Sequence, residues 1–355
     1  MYDVTKIILS ILFPLIKIFI LIQILNMKIA VLGAGHLGKI HIEILKNLPD
    51  FELIGFFDPN MLLANELSKE LSVKAFDSMA MLLEETEVVD IVTPTLSHFE
   101  CAKQALFARK HIFIEKPVTH TYAEAKELMR IAVGIDVKIQ IGHVERFNPA
   151  FLAAKPYIDS PLFIETHRLS KYNPRGTDVS VVLDLMIHDI DVILHIVKSE
   201  VFQIQTSGVA VITESPDICN ARIEFENGCV ANLTSSRVSM KEMRKTRIFQ
   251  KDRYVSIDFL NKKTEIVRLS DAQSWNPLRI KFPIEVNGSK KFVSHKKPRV
   301  KQLNAIQEEL RSFALSIKNN NSPTVTLQDG CEALKIADLI IDKVTDRIDK
   351  NKSNA

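Results

Sequence analysis

Paired cysteines and any strong charge bias are both missing from this sequence, and each absence removes a class of function. Cys101, Cys219, Cys229 and Cys331 are scattered, without the paired spacing of a zinc site or a redox couple. A reducing cytosol suits them. A formal net charge of +3 offers no general attraction to nucleic acid. There are no internal repeats, and no small-residue cleavage site precedes Met27, which argues against a secretory signal. What remains is an ordinary globular composition, 46% hydrophobic and 25% charged, in 355 residues, enough for two domains with their own cores. Lys290, Lys291, Lys296, Lys297, Arg299 and Lys301 form one local basic cluster, read as a solvated loop or as help in holding a phosphate-bearing substrate.

One long apolar run is present, Ile7 to Leu25, interrupted by Pro14, Lys17 and Gln23. Two readings stand: translation truly begins at Met27, or residues 1–26 anchor the chain to a membrane, which it touches only if they are translated. Both leave the body of the protein in the cytoplasm.

Gly33-Ala34-Gly35-His36-Leu37-Gly38 follows the apolar run Met27 to Leu32 and opens an amphipathic segment. Glycines at this spacing allow a tight turn, close approach of backbone to a pyrophosphate, and close packing of helix on strand, with helix N–H groups facing the phosphates. Asp58 ends the next strand-like run, twenty residues past Gly38. A carboxylate there accepts hydrogen bonds from an adenine ribose and repels a 2′-phosphate, so NAD is expected over NADP.

From Met27 to about Val144 short β-rich runs alternate with helical ones, the signature of a doubly wound parallel sheet. Strands are predicted at 28–32, 52–57, 73–75, 89–92, 111–115 and 138–142, and helices at 37–47, 61–71, 79–84, 97–108 and 122–133. Beyond Pro149 the pattern becomes α+β. It predicts a helix at 150–157, a strand at 162–169, a helix at 181–197, then an open, mostly antiparallel sheet from Phe202 to about Ile284. Asn227-Gly228 marks a hairpin inside it. A polar loop at 287–298 and helices at 302–318 and 329–346 follow. The expected domains are an apolar extension (1–26), an NAD-binding Rossmann domain (27–145), a substrate-binding and oligomerisation domain (146–348) and a disordered tail (349–355).

Glu115-Lys116-Pro117 falls at the carboxyl edge of the first sheet, where open α/β folds bind ligands. A lysine beside a nicotinamide cation has its ammonium form disfavoured, which suits proton transfer; alone it is equally a solvated charge. In the run from Asp184 to Asp191, helical spacing stacks Asp184 on His188, with Asp191 a turn beyond. A carboxylate beside a histidine can set its tautomer and raise its basicity, making it a general base. The pair is also compatible with a surface helix contact, and zinc is a further use, although no third soft ligand is spaced for it. The surrounding apolar residues argue that these acids serve a buried polar purpose.

Together the glycine turn, Thr93-Pro94 with His98, Glu115-Lys116-Pro117 and the Asp184-x-x-x-His188 helix resemble the glucose–fructose oxidoreductase, inositol dehydrogenase and rhizopine-catabolism family of NAD(P)-dependent sugar dehydrogenases. The resemblance spans about Met27 to Asp346. It implies that Lys116 and His188 handle a hydroxyl proton, that Asp184 orients substrate or base, and that Thr93, Pro94, His98 and Glu115 lie along the cofactor. Gly142 to Pro149 and Asn173 to Asp178 resemble more narrowly the branch that oxidises carbon 3 of UDP-N-acetylglucosamine ahead of an aminotransferase in lipid A precursor synthesis. On that reading Arg146 and Arg175 bind diphosphate oxygens, and Asn148, Tyr172 and Asn173 reach hydroxyls or the acetamido group. The resemblance also implies a homodimer or homotetramer formed through the open sheet. Rival substrates are the corresponding uronic acid, for which Arg168, Arg175 and Thr177 are available, a free sugar, or inositol. A rival of another class is a non-catalytic NAD-binding sensor, against which Lys116 and His188 speak.

Overall fold

The computed structural model of the protein describes residues 26–173, 179–271, 281–286 and 288–353. The apolar run before Met27, and Arg175 and Thr177, lie outside them. The first sheet is built from β1 (Met27–Leu32), α1 (His36–Leu45), β2 (Phe51–Phe57), α2 (Met61–Leu71), α3 (Met79–Glu85), β3 (Val88–Ile91), α4 (His98–Phe107), β4 (His111–Glu115), α5 (Tyr122–Ala132) and β5 (Ile139–Gly142). Its strand order is β2-β1-β3-β4-β5, and β1 pairs in parallel with both β2 and β3. That order reverses direction beside β1, the point at which such sheets bind ligands outside their carboxyl ends. The strands read as continuous apolar runs because helices cover both faces: Ile29, Val31, Val89, Ile112 and Ile114 are all fully buried.

The second sheet has nine strands. Its elements are α6 (Pro149–Ala154), β6 (Phe163–Leu169), α7 (Ile187–Val197), β7 (Val201–Val209), β8 (Ile218–Phe225), β9 (Val230–Ser236), β10 (Met243–Gln250), β11 (Arg253–Asp258), β12 (Lys263–Asp271), β13 (Lys281–Val286) and β14 (Ser289–Lys296), followed by α8 (Ala305–Lys318) and α9 (Leu327–Ser353). The order is β13-β14-β12-β11-β10-β6-β9-β8-β7, antiparallel in its resolved pairings except for β6 with β9. Alternation along β8 and β9 buries Cys219, Ala221, Ile223, Ala231 and Leu233 on one face. The Asn227-Gly228 hairpin forms as expected, with Gly228 at φ +82° and the Asn227 side chain accepting from the Cys229 N–H.

Chain contacts divide these elements into two compact units: residues 26–115 with 131–140 and 310–324, and residues 116–130 with 141–309 and 325–353.

Several predicted elements change. Residues 73–75 make only a single bridge, Phe56 with Ala75, rather than a strand. The segment expected to be a polar loop carries β14, whose residues pair with both β12 and β13. Its lysines flank Phe292 and Val293 in a strand with no buried residue, so polar composition reported solvent contact and not loop conformation. α9 continues to Ser353, through most of the expected disordered tail. Among the described residues no helix is long and apolar enough to cross a membrane.

Candidate active site

In the first unit, Gly33 adopts φ +95°, and a Cβ there would meet the Val92 carbonyl at 2.7 Å; a Cβ on Gly38 would collide with the Gly33 carbonyl oxygen. At Gly35 a Cβ would point into open space, the side from which a ligand can approach the backbone. α1 has no side-chain cap and no acidic residue in its first turn, so its leading N–H groups are available to an anion. Asp58 accepts from the Ala34 N–H at 2.8 Å through one oxygen and from the Asn60 N–H at 2.9 Å through the other. Each oxygen keeps a lone pair for a ribose hydroxyl. Glycine turn, bare helix start and carboxylate therefore fit a dinucleotide. His36 and Leu37 form the exposed start of α1. Thr93 and Pro94 lead into a tight turn at Thr95–Ser97. His98 is a correction: it is 1% exposed, with Nε2 on the Thr93 carbonyl at 2.9 Å, so it braces this loop from within and does not line the cleft.

A group that motif reading passed over lies beneath the turn. His41 of α1 is fully buried, with Nδ1 2.9 Å from Asp90 of β3 and Nε2 3.4 Å from Glu115 at the end of β4. Burial opposes its charge, but the two carboxylates prevail and hold its pKa well above the ordinary histidine value. The signals were visible: a histidine on the buried stripe of Gly38, Ile42 and Leu45, and an acid inside Val88-Val89-Asp90-Ile91.

In the second unit, Lys116 follows β4 directly and its peptide bond to Pro117 is cis. Its Nζ donates to the Asp184 carbonyl oxygen at 2.8 Å and lies 3.6 Å from the Asp184 carboxylate. Asp184 sits in a π-helical turn, Val182–Met186, in which the Ile187 N–H reaches back five residues to the Val182 carbonyl. Such turns recur at functional sites because they unsettle the regular carbonyl ladder. The expected α-helical stacking of Asp184 on His188 is therefore altered, and the carboxylate turns to Lys116.

His188 is part-buried, and its Nδ1 has no hydrogen-bond partner among the described residues. Burial first, then the charges of Lys116, Arg168, His143 and Arg244, push its pKa well below the ordinary value. This reverses the expectation that a neighbouring carboxylate raises its basicity: burial and the surrounding positive charge keep the ring neutral, with one of its two nitrogens able to accept a proton.

The other acids of this helix do serve a buried purpose. Asp189 accepts from Arg168 Nε and Nη2, both at 3.0 Å, while Arg168 Nη1 donates to Glu145 at 2.9 Å. Asp191 takes a two-pronged contact from Arg146, both distances 2.7 Å, and Arg146 also donates to His195 Nδ1 at 2.6 Å. Three sequence assignments are corrected by this network. Arg146, 4% exposed, is engaged by Asp191, His195 and Asp329, so it is not placed to bind a diphosphate. Asn148 is buried, capping α6 at the Ala150 N–H and donating to Glu145 and the Phe259 carbonyl. Arg168 is equally engaged and not free for a uronic acid. Tyr172 and Asn173, by contrast, are exposed.

With this geometry in place, comparison with known proteins supplies the family. A model described as "Oxidoreductase family, NAD-binding Rossmann fold" matches residues 27–143, and one described as "GFO/IDH/MocA C-terminal domain" matches residues 140–253. The chain belongs to the GFO/IDH/MocA oxidoreductase family. UDP-N-acetylglucosamine 3-dehydrogenase of Acidithiobacillus ferrooxidans is 40% identical over 238 residues, 67% of this chain and 75% of that protein. A solved structure of that enzyme superposes with a TM-score of 0.81 at 33% identity, covering 90% of this chain and 98% of the other. Scyllo-inositol dehydrogenase of Lactobacillus casei, solved with NAD(H) and scyllo-inositol, shares the fold at a TM-score of 0.72 and 21% identity, covering 91% and 98%. An NAD-binding Rossmann domain joined to a GFO/IDH/MocA C-terminal domain marks the chain as an enzyme of hydride transfer at an alcohol carbon.

Proposed function

We propose that this member of the GFO/IDH/MocA family oxidises the 3-hydroxyl of UDP-N-acetylglucosamine to the 3-keto sugar nucleotide, using NAD. The observation that carries the reading is Lys116, fixed by the Asp184 carbonyl at 2.8 Å in the same unit as a neutral histidine, in a chain 40% identical to an enzyme of that name. NAD, when bound, accepts the hydride. Gly33, Gly35 and Gly38 with the start of α1 would hold its pyrophosphate, and Asp58 would select an unphosphorylated ribose. Thr93, Pro94 and Glu115 belong to the carboxyl edge of the sheet and would line the rest of the cofactor.

The chemistry required of the chain is removal of the hydroxyl proton as the carbon–hydrogen bond breaks. His188, neutral at physiological pH, accepts that proton, and Lys116 donates a hydrogen bond to the developing alkoxide. Asp184 positions Lys116 through its carbonyl and balances its charge through its carboxylate. The exposed Tyr172 and Asn173, with Arg175, serve the sugar nucleotide. The product, a 3-ketone, is what a 3-aminotransferase requires, in keeping with a cytoplasmic step toward lipid A. The exposed face of the nine-stranded sheet, where Phe163, Phe249 and Tyr254 pack ring to ring at 5.8 Å and 5.1 Å, is the surface we assign to a homodimer or homotetramer. Steady-state assays of the purified protein with NAD against NADP, each with UDP-N-acetylglucosamine, test the reading. Preference for NADP, or a product oxidised elsewhere than carbon 3, contradicts it.

A further inference from the structure

Arg146 and Arg168 are locked into buried pairs, which leaves room among the described residues for another cation to meet the phosphates of a nucleotide sugar. β10 provides it. Thr246 and Ile248 of this strand are buried at 1% and 0% exposure, so Arg244, two residues before Thr246, belongs to the same covered face of the sheet. In the antiparallel register of β6 with β10, Arg244 lies directly opposite Arg168. Directly opposed side chains share a face and are close neighbours. Arg168 is the residue that grips Asp189, the chain neighbour of His188. Arg244 thus stands at the border of the covered face, near enough for its charge to act on His188, and is exposed where Arg168 is buried.

Two arginines facing one another are ordinarily unfavourable. Here Arg168 is neutralised by Asp189 and Glu145, whereas Arg244 has no ion pair among the described residues. An uncompensated guanidinium beside a reacting group is the kind of donor that recognises phosphate oxygens in pairs. We infer that Arg244 is a specificity-determining residue that holds the phosphate-bearing end of the substrate, separating nucleotide sugars from neutral polyols. This rests on the nucleotide-sugar reading above. It also has a consequence for His188, because the charge of Arg244 is one of the influences that hold the imidazole neutral. An anion bound to Arg244 cancels part of that influence and leaves the histidine a stronger base once substrate has arrived.

The test compares the full-length protein with Arg244→Ala and Arg244→Lys, using UDP as the binding probe in calorimetry and UDP-N-acetylglucosamine in turnover. Removing a charged hydrogen-bonding partner of this kind is expected to weaken UDP binding about 10- to 100-fold. The KM for the nucleotide sugar rises in proportion and kcat changes by less than about threefold, the pattern of lost uniform binding. Arg244→Lys recovers part of the affinity by restoring the charge without the planar fork. Unchanged UDP affinity in folded Arg244→Ala overturns the inference, as does a loss confined to kcat. Should the unmutated protein bind UDP in an Arg244-dependent manner yet fail to oxidise UDP-N-acetylglucosamine, Arg244 keeps its role and the substrate reading falls. If turnover is present and indifferent to Arg244, the reverse holds.

Discussion

His41 is fully buried and His188 partly so, one in each unit, and their surroundings drive them to opposite charge states. His41 sits between two carboxylates, Asp90 and Glu115, and burial in its case is overcome by opposite charge. His188 has Lys116, Arg168, His143 and Arg244 about it, so burial and like charge act together. The difference teaches that the sign of the neighbours, more than depth, sets the charge: a protonated brace under the glycine turn, and a neutral imidazole, the proposed proton acceptor, in the second unit.

The largest expected effect breaks the second half of the comparison. Lys116→Ala removes both the partner of Asp184 and the proposed donor for the developing oxyanion. It should lower kcat by about 10²- to 10³-fold, the range for loss of an oxyanion donor, while NADH affinity measured by fluorescence stays near that of the unmutated protein. A variant retaining full turnover rules out the assigned role. His41→Ala attacks the first half. It leaves Asp90 and Glu115 buried without their cation, and loss of one partner of a buried pair costs about 3–5 kcal/mol. Denaturant unfolding should show this in the transition of the first unit, and an unshifted midpoint refutes the brace.

The pH dependence of stability sharpens the contrast, because the signs oppose. His41, raised in the folded state, contributes stability that is complete below the unfolded histidine value and is lost as pH rises through its folded pKa. His188, depressed in the folded state, contributes stability present above the unfolded value and lost as pH falls toward its folded pKa. His195 behaves as His188 does, its pKa lowered to about 4 by burial and by Arg146. Thermal unfolding followed from neutral to mildly acidic pH should therefore fall for the unmutated protein and fall less steeply for His188→Asn; parallel curves contradict the assignment. The smallest effect concerns the cofactor. Asp58→Ala should weaken NAD and narrow its advantage over NADP, about tenfold for loss of charged hydrogen bonds, read as the ratio of kcat/KM for the two cofactors.

Most of the fold was legible because its signals are local. The glycine turn, the apolar strand runs and the Asn227-Gly228 hairpin each depend on residues within one turn or strand. The place of the candidate residues in the fold was legible where a motif fixed backbone position, as at Lys116 after β4 and Asp58 after β2. Their contacts were misread where a side chain's fate depends on a distant partner. Arg146 meets Asp191 forty-five residues away, and Arg168 meets Asp189 twenty-one residues away. Nothing near either arginine announces that its charge will be neutralised inside. β14 was missed because an exposed strand rich in lysine looks like a loop in composition, and Arg244 was missed because its significance arises only from the register of β10 with β6.

The most direct test of the central claim is NADH formation by the purified protein with NAD and a panel of UDP-N-acetylglucosamine, its uronic acid, glucose and inositol, coupled to a glutamate-dependent 3-aminotransferase that draws the oxidation forward. The account predicts turnover with UDP-N-acetylglucosamine alone. Absence of NADH with that substrate while NAD still binds, or oxidation of another member of the panel in its place, would contradict it.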